Sequence, residues 1–308
     1  MTQQQTAYRR KNTWLFPLLL LLAGGLLLGL STNLAKVAGE VGLAPLAFLG
    51  WSITGAAVIL LIVATLRRSP PPVNGRTLRY YAISALVSVA GSNFIFFSAI
   101  PHVGASFVAM IITLPPLLTY VGALALRVER FQAIRAAGVT AALVGAGVLA
   151  VSQLTAPDAD IFWILVALVG PALLAVGNLY RTLSWPAGVS AEALAPGMVA
   201  GAAIMLLLAG FLPGYSLAIP TDQSLPLILI IIQALIFAAQ FQLLFLLQRT
   251  GGPVLLSLLG SVGAIVGVPV AIFLQNEAPP LGLIPSAALI AVGVAMVTAG
   301  HAKAQPKK

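Results

Sequence analysis

The chain has 308 residues, 60% of them hydrophobic and only 7% charged, with a mean hydropathy of +1.04 and a formal net charge of +9. A soluble domain carries about 25% charged residues, so this chain has too little charge to cover a water-exposed surface and is excluded as a soluble globular domain. It contains no cysteine, which removes disulfides and thiolate metal sites.

Apolar runs near the length that a helix needs to cross a hydrocarbon core of about 30 Å recur along the chain. They are too uniformly apolar for the alternating strands of an outer-membrane barrel. The expected fold is therefore an all-α integral membrane protein with ten transmembrane helices. After a tail at residues 1–13, spans are predicted near 14–34, 43–66, 80–99, 104–126, 135–153, 161–180, 193–213, 226–247, 252–274 and 282–300, followed by a second tail at 301–308. The first run follows Arg9, Arg10 and Lys11 but lacks a small-residue cleavage site, so it reads as a span and not as a cleaved signal. Pro115 and Pro116 fall inside span four and Pro171 inside span six, where each removes a helical hydrogen bond and frees a carbonyl for a kink, a gate or a solute contact.

Loop charge orients these spans, because cytoplasmic loops carry the excess of Lys and Arg. With both termini in the cytoplasm, fifteen of the sixteen basic residues lie inside, with Lys36 the exception, and five of the seven acids (Glu40, Asp158, Asp160, Asp222, Glu277) lie outside. The basic balance is thus a topology signal and calls for no nucleic-acid partner. Tyr80 and Tyr81, beside Arg79, read as aromatic anchors at the membrane surface.

The halves of the chain repeat. Gly25, Asn33, Leu34 and Lys36 recur as Gly170, Asn178, Leu179 and Arg181 at an offset of 145, and Asn93, Phe94 and Gly104 as Gln240, Phe241 and Gly251 at 147. Glu129 and Glu277 match at 148. The repeats are 14–153 and 161–300; each holds five spans, an odd number, so the second enters the membrane in the opposite sense. Inverted repeats commonly supply the two states of an alternating-access transporter, with the solute held near the midplane.

Polar residues within spans point to the solute site. Asn33, Asn93, Asn178, Gln240 and Gln242, together with Gln233, are buried amides that must find partners, and amides both donate and accept, which suits a neutral or zwitterionic solute. Trp51, Tyr120 and Trp163 are candidate cavity walls. Gly25 and Gly29 in span one, Gly263 and Gly267 in span nine, and Gly138, Gly145 and Gly147 in span five offer close helix packing or a sliding interface. No acid and no Lys or Arg is placed mid-span, no enzyme motif is present, and His102 and His301 cannot form a metal cluster, so neither metal nor cofactor is called for.

Ten spans, two inverted repeats, and an acidic residue after the fourth span of each (Val128-Glu129-Arg130-Phe131 and Asn276-Glu277-Ala278-Pro279) resemble the drug/metabolite transporter superfamily in its ten-helix EamA-type branch, over about residues 14–300. The resemblance implies a solute carrier, often an exporter of amino acids or related metabolites, with a cavity lined mainly by spans one, three, four, six, eight and nine. Its acidic position matches Glu129 and Glu277; Arg130 follows the first, whereas Ala278 departs from the pattern after the second. The small four-helix multidrug relatives use a carboxylate in their first helix, where this chain has Leu, Gly, Ser, Thr and Asn. The function expected is export of neutral amino acids, aromatic ones among them, or of related small metabolites across the inner (plasma) membrane, with one chain sufficient. The alternative is a multidrug exporter or a carrier of a different small metabolite.

Overall fold

The structure, a computed structural model, describes residues 3–127, 130–154, 160–220, 224–250 and 259–304. Glu129, Asp158, Asp222, Gly251 and the start of the predicted ninth span lie outside these residues.

Among the described residues the fold is all helical, without strands. The helices are α1 (Gln3–Glu40), α2 (Pro45–Leu66), α3 (Gly75–Val103), α4 (Ala105–Ala125), α5 (Ala133–Leu154), α6 (Ile161–Leu183), α7 (Ala191–Ala209), α8 (Leu225–Thr250), α9 (Leu259–Leu274) and α10 (Leu283–Ala304). Seven of them are long and apolar enough to cross a bilayer, and Ala133–Leu149, Leu259–Leu274 and Leu283–Met296 are shorter apolar helices. Large apolar side chains face outward on most of them, among them Leu19, Ile62, Leu165, Ile204, Leu235 and Ile265. Such an exterior is stable only against lipid, since water would be left facing a continuous apolar surface. The chain is a multi-pass membrane protein.

Helix ends follow local chemistry. The Asn74 side chain accepts from Thr77 N while the Thr77 hydroxyl takes the Asn74 N–H, a reciprocal cap that starts α3. Asp160 caps α6 and Ser190 caps α7. Gly104, at φ +84°, is the entire turn between α3 and α4; the predicted link, Ile100–Val103, instead completes the last turn of α3.

Two helices depart from regular geometry. α4 is broken at Ile112–Leu114 into halves Ala105–Ile111 and Pro115–Ala125. Pro115 and Pro116 therefore open a helical segment and do not kink a continuous one, because a first-turn proline has no intrahelical N–H bond to lose. α3 carries a π turn at Leu86–Ala90 and α9 ends in another at Val270–Leu274. Pro171 sits inside an α6 that runs unbroken from Ile161 to Leu183.

α1 packs on α8 and α9, and α6 on α3 and α4. α2 packs on α7 and α8, α3 on α7, α4 also on α9, and α5 on α10. The α1–α9 contact is made backbone to backbone: a β carbon at Gly29 would stand 2.6 Å from Gly263 O and 2.8 Å from Gly267 N, and one at Gly25 would overlap Val262. Gly145 on α5 and Gly293 on α10 likewise let these two helices meet, Gly293 lying against the Gly138 carbonyl, whereas Gly147 faces open space and takes no part in that interface.

Candidate functional site

Polar side chains inside the bundle fall into three groups along its axis. At the end where α1 finishes, Lys36 Nζ lies 3.1 Å from Glu277 Oε2. The carboxylate also accepts from Ala105 N and Ser106 N, each at 2.9 Å, and from the Ser106 hydroxyl. The π turn of α9 makes this possible: the chain leaves α9 with Gln275 N on Val270 O and Glu277 N on Ala271 O, which brings Glu277 over the start of α4. The carboxylate thus meets an opposite charge and two otherwise unpaired helix N–H groups. One acid thus ties α1, α4 and α9 together, and Lys36, the one basic residue that the loop-charge reading left outside, is accounted for.

Gly104 is part of this knot. Its φ of +84° disfavours any other residue, and a β carbon there would overlap the Glu277 carboxylate. Gly104→Ala is expected to cost about 1–3 kcal/mol from the backbone alone, more once the carboxylate is displaced. A fall of several degrees in the unfolding midpoint of the purified protein in detergent is the outcome to look for.

The middle group is built on amides. Asn33 Nδ2 donates to Gly29 O at 2.8 Å and, across the interface, to Gly267 O at 2.9 Å, while the Asn33 backbone carbonyl accepts from Gln275 Nε2 at 2.9 Å. Gln233 Nε2 donates to the Ser31 hydroxyl, joining α8 to α1. In Asn33 and Gln233 the amide donors are used and the acceptors are not. Asn33 Oδ1, Gln233 Oε1 and Gln240 Oε1 are buried without a partner among the described residues, as are the hydroxyls of Ser88 and Ser92 on α3. Each such atom costs about 1–3 kcal/mol unless water or a ligand meets it. Asn93, also on α3, turns its Nδ2 back onto Val89 O at 2.8 Å, next to the π turn.

At the opposite end, Arg181 Nη2 donates to Asn178 Oδ1 at 2.6 Å, and Asn178 Nδ2 reaches the Thr119 hydroxyl at 3.4 Å. The Tyr80 ring stacks on Tyr180 at 6.0 Å and meets Trp185 edge-on at 6.4 Å. Tyr80 is 1% exposed and Tyr81 is buried with its hydroxyl on Pro72 O. The reading of these tyrosines as surface anchors is therefore corrected: the capped start of α3 points both rings into the bundle, where aromatic neighbours receive them. Tyr120, also at this end, is clamped by local contacts, its hydroxyl accepting from Gln132 N at 3.0 Å and its ring covered by Arg135 at 3.8 Å.

The remaining candidates lie apart from these groups. Trp51 is 37% exposed and donates to Leu217 O at 2.9 Å. Gln242 faces a shallow crevice with Leu60, Arg67, Glu192 and Pro196. Trp163 stacks on His102 at 4.4 Å, beside the His102–Asp160 pair at 3.4 Å. Gly25, Gly29, Gly263 and Gly267 meet as the α1–α9 seam. Sequence reasoning did not single out Gln275, Ser31, Ser88, Ser92 or the burial of Arg181. Only Arg181 carried a signal, its match to Lys36 at an offset of 145.

Comparison with known proteins agrees with this architecture. Residues 15–151 match the EamA-like transporter family. A solved crystal structure, 18% identical, superimposes with a TM-score of 0.64 over 93% of this chain and 98% of its own, which is a likeness of fold. Comparison with curated proteins gave no match.

Proposed function

We infer, from the premise that residues 15–151 place this membrane transporter of small solutes with the EamA-like family, that the chain carries neutral or zwitterionic amino acids, or related metabolites, by alternating access. The observation that carries the reading is the set of unpartnered buried oxygens on Asn33 of α1 and on Gln233 and Gln240 of α8, with the unpartnered hydroxyls of Ser88 and Ser92 on α3. Acceptors left open inside the bundle are what a solute ammonium or hydroxyl would bind.

Two inverted repeats of five spans, with both termini in the cytoplasm, are the architecture proposed for the motion. The packing supports it. Exchanging each helix of the first half with the one five places later turns the α1–α8 contact into α6–α3, α1–α9 into α6–α4, and α2–α8 into α7–α3, and returns α2–α7 and α5–α10 to themselves. The Lys36–Glu277 knot would then close the outer end, and the Arg181 end would face the cytoplasm.

Uptake by proteoliposomes tests the proposal. Labelled Trp, Phe, Thr and Met, with and without a proton gradient, should include at least one saturable substrate. Asn33→Ala and Gln240→Ala should each lower its initial rate about ten-fold or more, the worth of one lost hydrogen bond to a charged group, with membrane insertion unchanged. Unaltered rates in both variants would remove the amides from the path, and no uptake under either condition would sink the amino-acid reading.

A further inference from the structure

Arg181 is 4% exposed and lies in the last turns of α6, next in sequence to Tyr180 and close to Tyr80. Among the described residues no carboxylate pairs with it; its contact is the Asn178 amide oxygen, and its Nε has no acceptor. The nearby Tyr80 hydroxyl is buried as well, with the Ser84 hydroxyl as its neighbour. The carbonyl ends of α6 offset part of the guanidinium charge, but a buried cation without a counter-ion costs several kcal/mol and within a membrane marks a site of function.

The same protein shows what such a cation takes. Lys36, which corresponds to Arg181 at the offset of 145, is saturated by a carboxylate at 3.1 Å. We propose that Arg181 is the docking residue for a carboxylate of the transported solute, with the Tyr80 hydroxyl and the Asn178 amide completing the site. This rests on the transport reading above and names the solute's charged group. A guanidinium presents Nε and Nη as a planar fork that fits two carboxylate oxygens. One cation balances one carboxylate, whereas a doubly charged phosphate would leave the buried site negative. The Tyr80, Tyr180 and Trp185 rings supply an apolar wall for the rest of the solute.

The test is binding to the purified full chain, independent of flux, read as thermal stabilisation by 3-phenylpropionate and by 3-phenylpropanamide at matched ionic strength. The acid should stabilise the protein saturably and the amide at least ten-fold more weakly. In Arg181→Gln the preference should vanish. If that variant does not fold, Arg181→Lys should weaken acid binding about ten-fold, through loss of the fork. Equal stabilisation by acid and amide, stabilisation by neither, tighter binding of inorganic phosphate, or an unchanged acid preference in the variant that folds would each overturn the proposal. Acid binding without any uptake by proteoliposomes would instead sink the transport of amino acids and leave the carboxylate site standing.

Discussion

Glu277→Ala is expected to destabilise the protein by about 3 kcal/mol and to open the end of the bundle where α1 finishes. Removing one partner of a buried pair strands the other charge, at a cost of about 3–5 kcal/mol. The Lys36 and Glu277 side chains are 18% and 12% exposed, which places the expectation at the lower end of that range. Two helix N–H groups, at Ala105 and Ser106, lose their acceptor in the same step. The exchange Lys36→Glu with Glu277→Lys would restore opposite charges but set an ammonium against those N–H groups, so it should not rescue stability. Rescue would show that the ion pair alone holds this end. Because the chain contains no cysteine, a single one at Ala109, buried on α4 against Gly267, reports opening: its labelling should accelerate in Glu277→Ala, and an unchanged rate would count against the knot as a closure.

Gly29→Val should be as damaging, by a different route. The glycine leaves α1 and α9 in backbone contact, with Gly263 O and Gly267 N within 2.8 Å of where a β carbon would stand. A branched side chain cannot be absorbed by a rotamer change, since what it meets is backbone, and the helices must separate. Overpacking of this kind costs about 1–3 kcal/mol, and the Asn33 Nδ2 bond to Gly267 O, 2.9 Å long, goes with it at about 1 kcal/mol. Detergent unfolding should therefore show a loss of about 2–4 kcal/mol, and proteoliposome uptake should fall steeply. Gly147→Ala is the control. That glycine meets nothing within 4 Å, so its replacement should leave both stability and uptake near wild type; a comparable loss there would mean that helix propensity, and not close approach, governs these positions.

The character of each helix was legible in the chain. A span is decided residue by residue, by whether each side chain prefers lipid to water, and its backbone satisfies itself within the segment. Such a decision needs no knowledge of neighbours, and the predicted spans 43–66 and 161–180 accordingly differ little from Pro45–Leu66 and Ile161–Leu183. The match of Lys36 with Arg181 was also visible as an offset. What the tertiary structure alone decided is how each helix is turned about its own axis and which polar groups then meet. Glu277 reaches Lys36 across 241 residues through a π turn that no local pattern announces. Tyr80 and Tyr81 leave the surface because α3 is capped where it is, and Gln242 faces a crevice with Leu60 and Pro196 while Gln240, two residues earlier, is buried. Rotation within a membrane has no solvent gradient to set it, since lipid and a neighbouring helix are nearly equally apolar. Close packing, interhelical hydrogen bonds and buried charge settle it, and those sums run over the whole bundle.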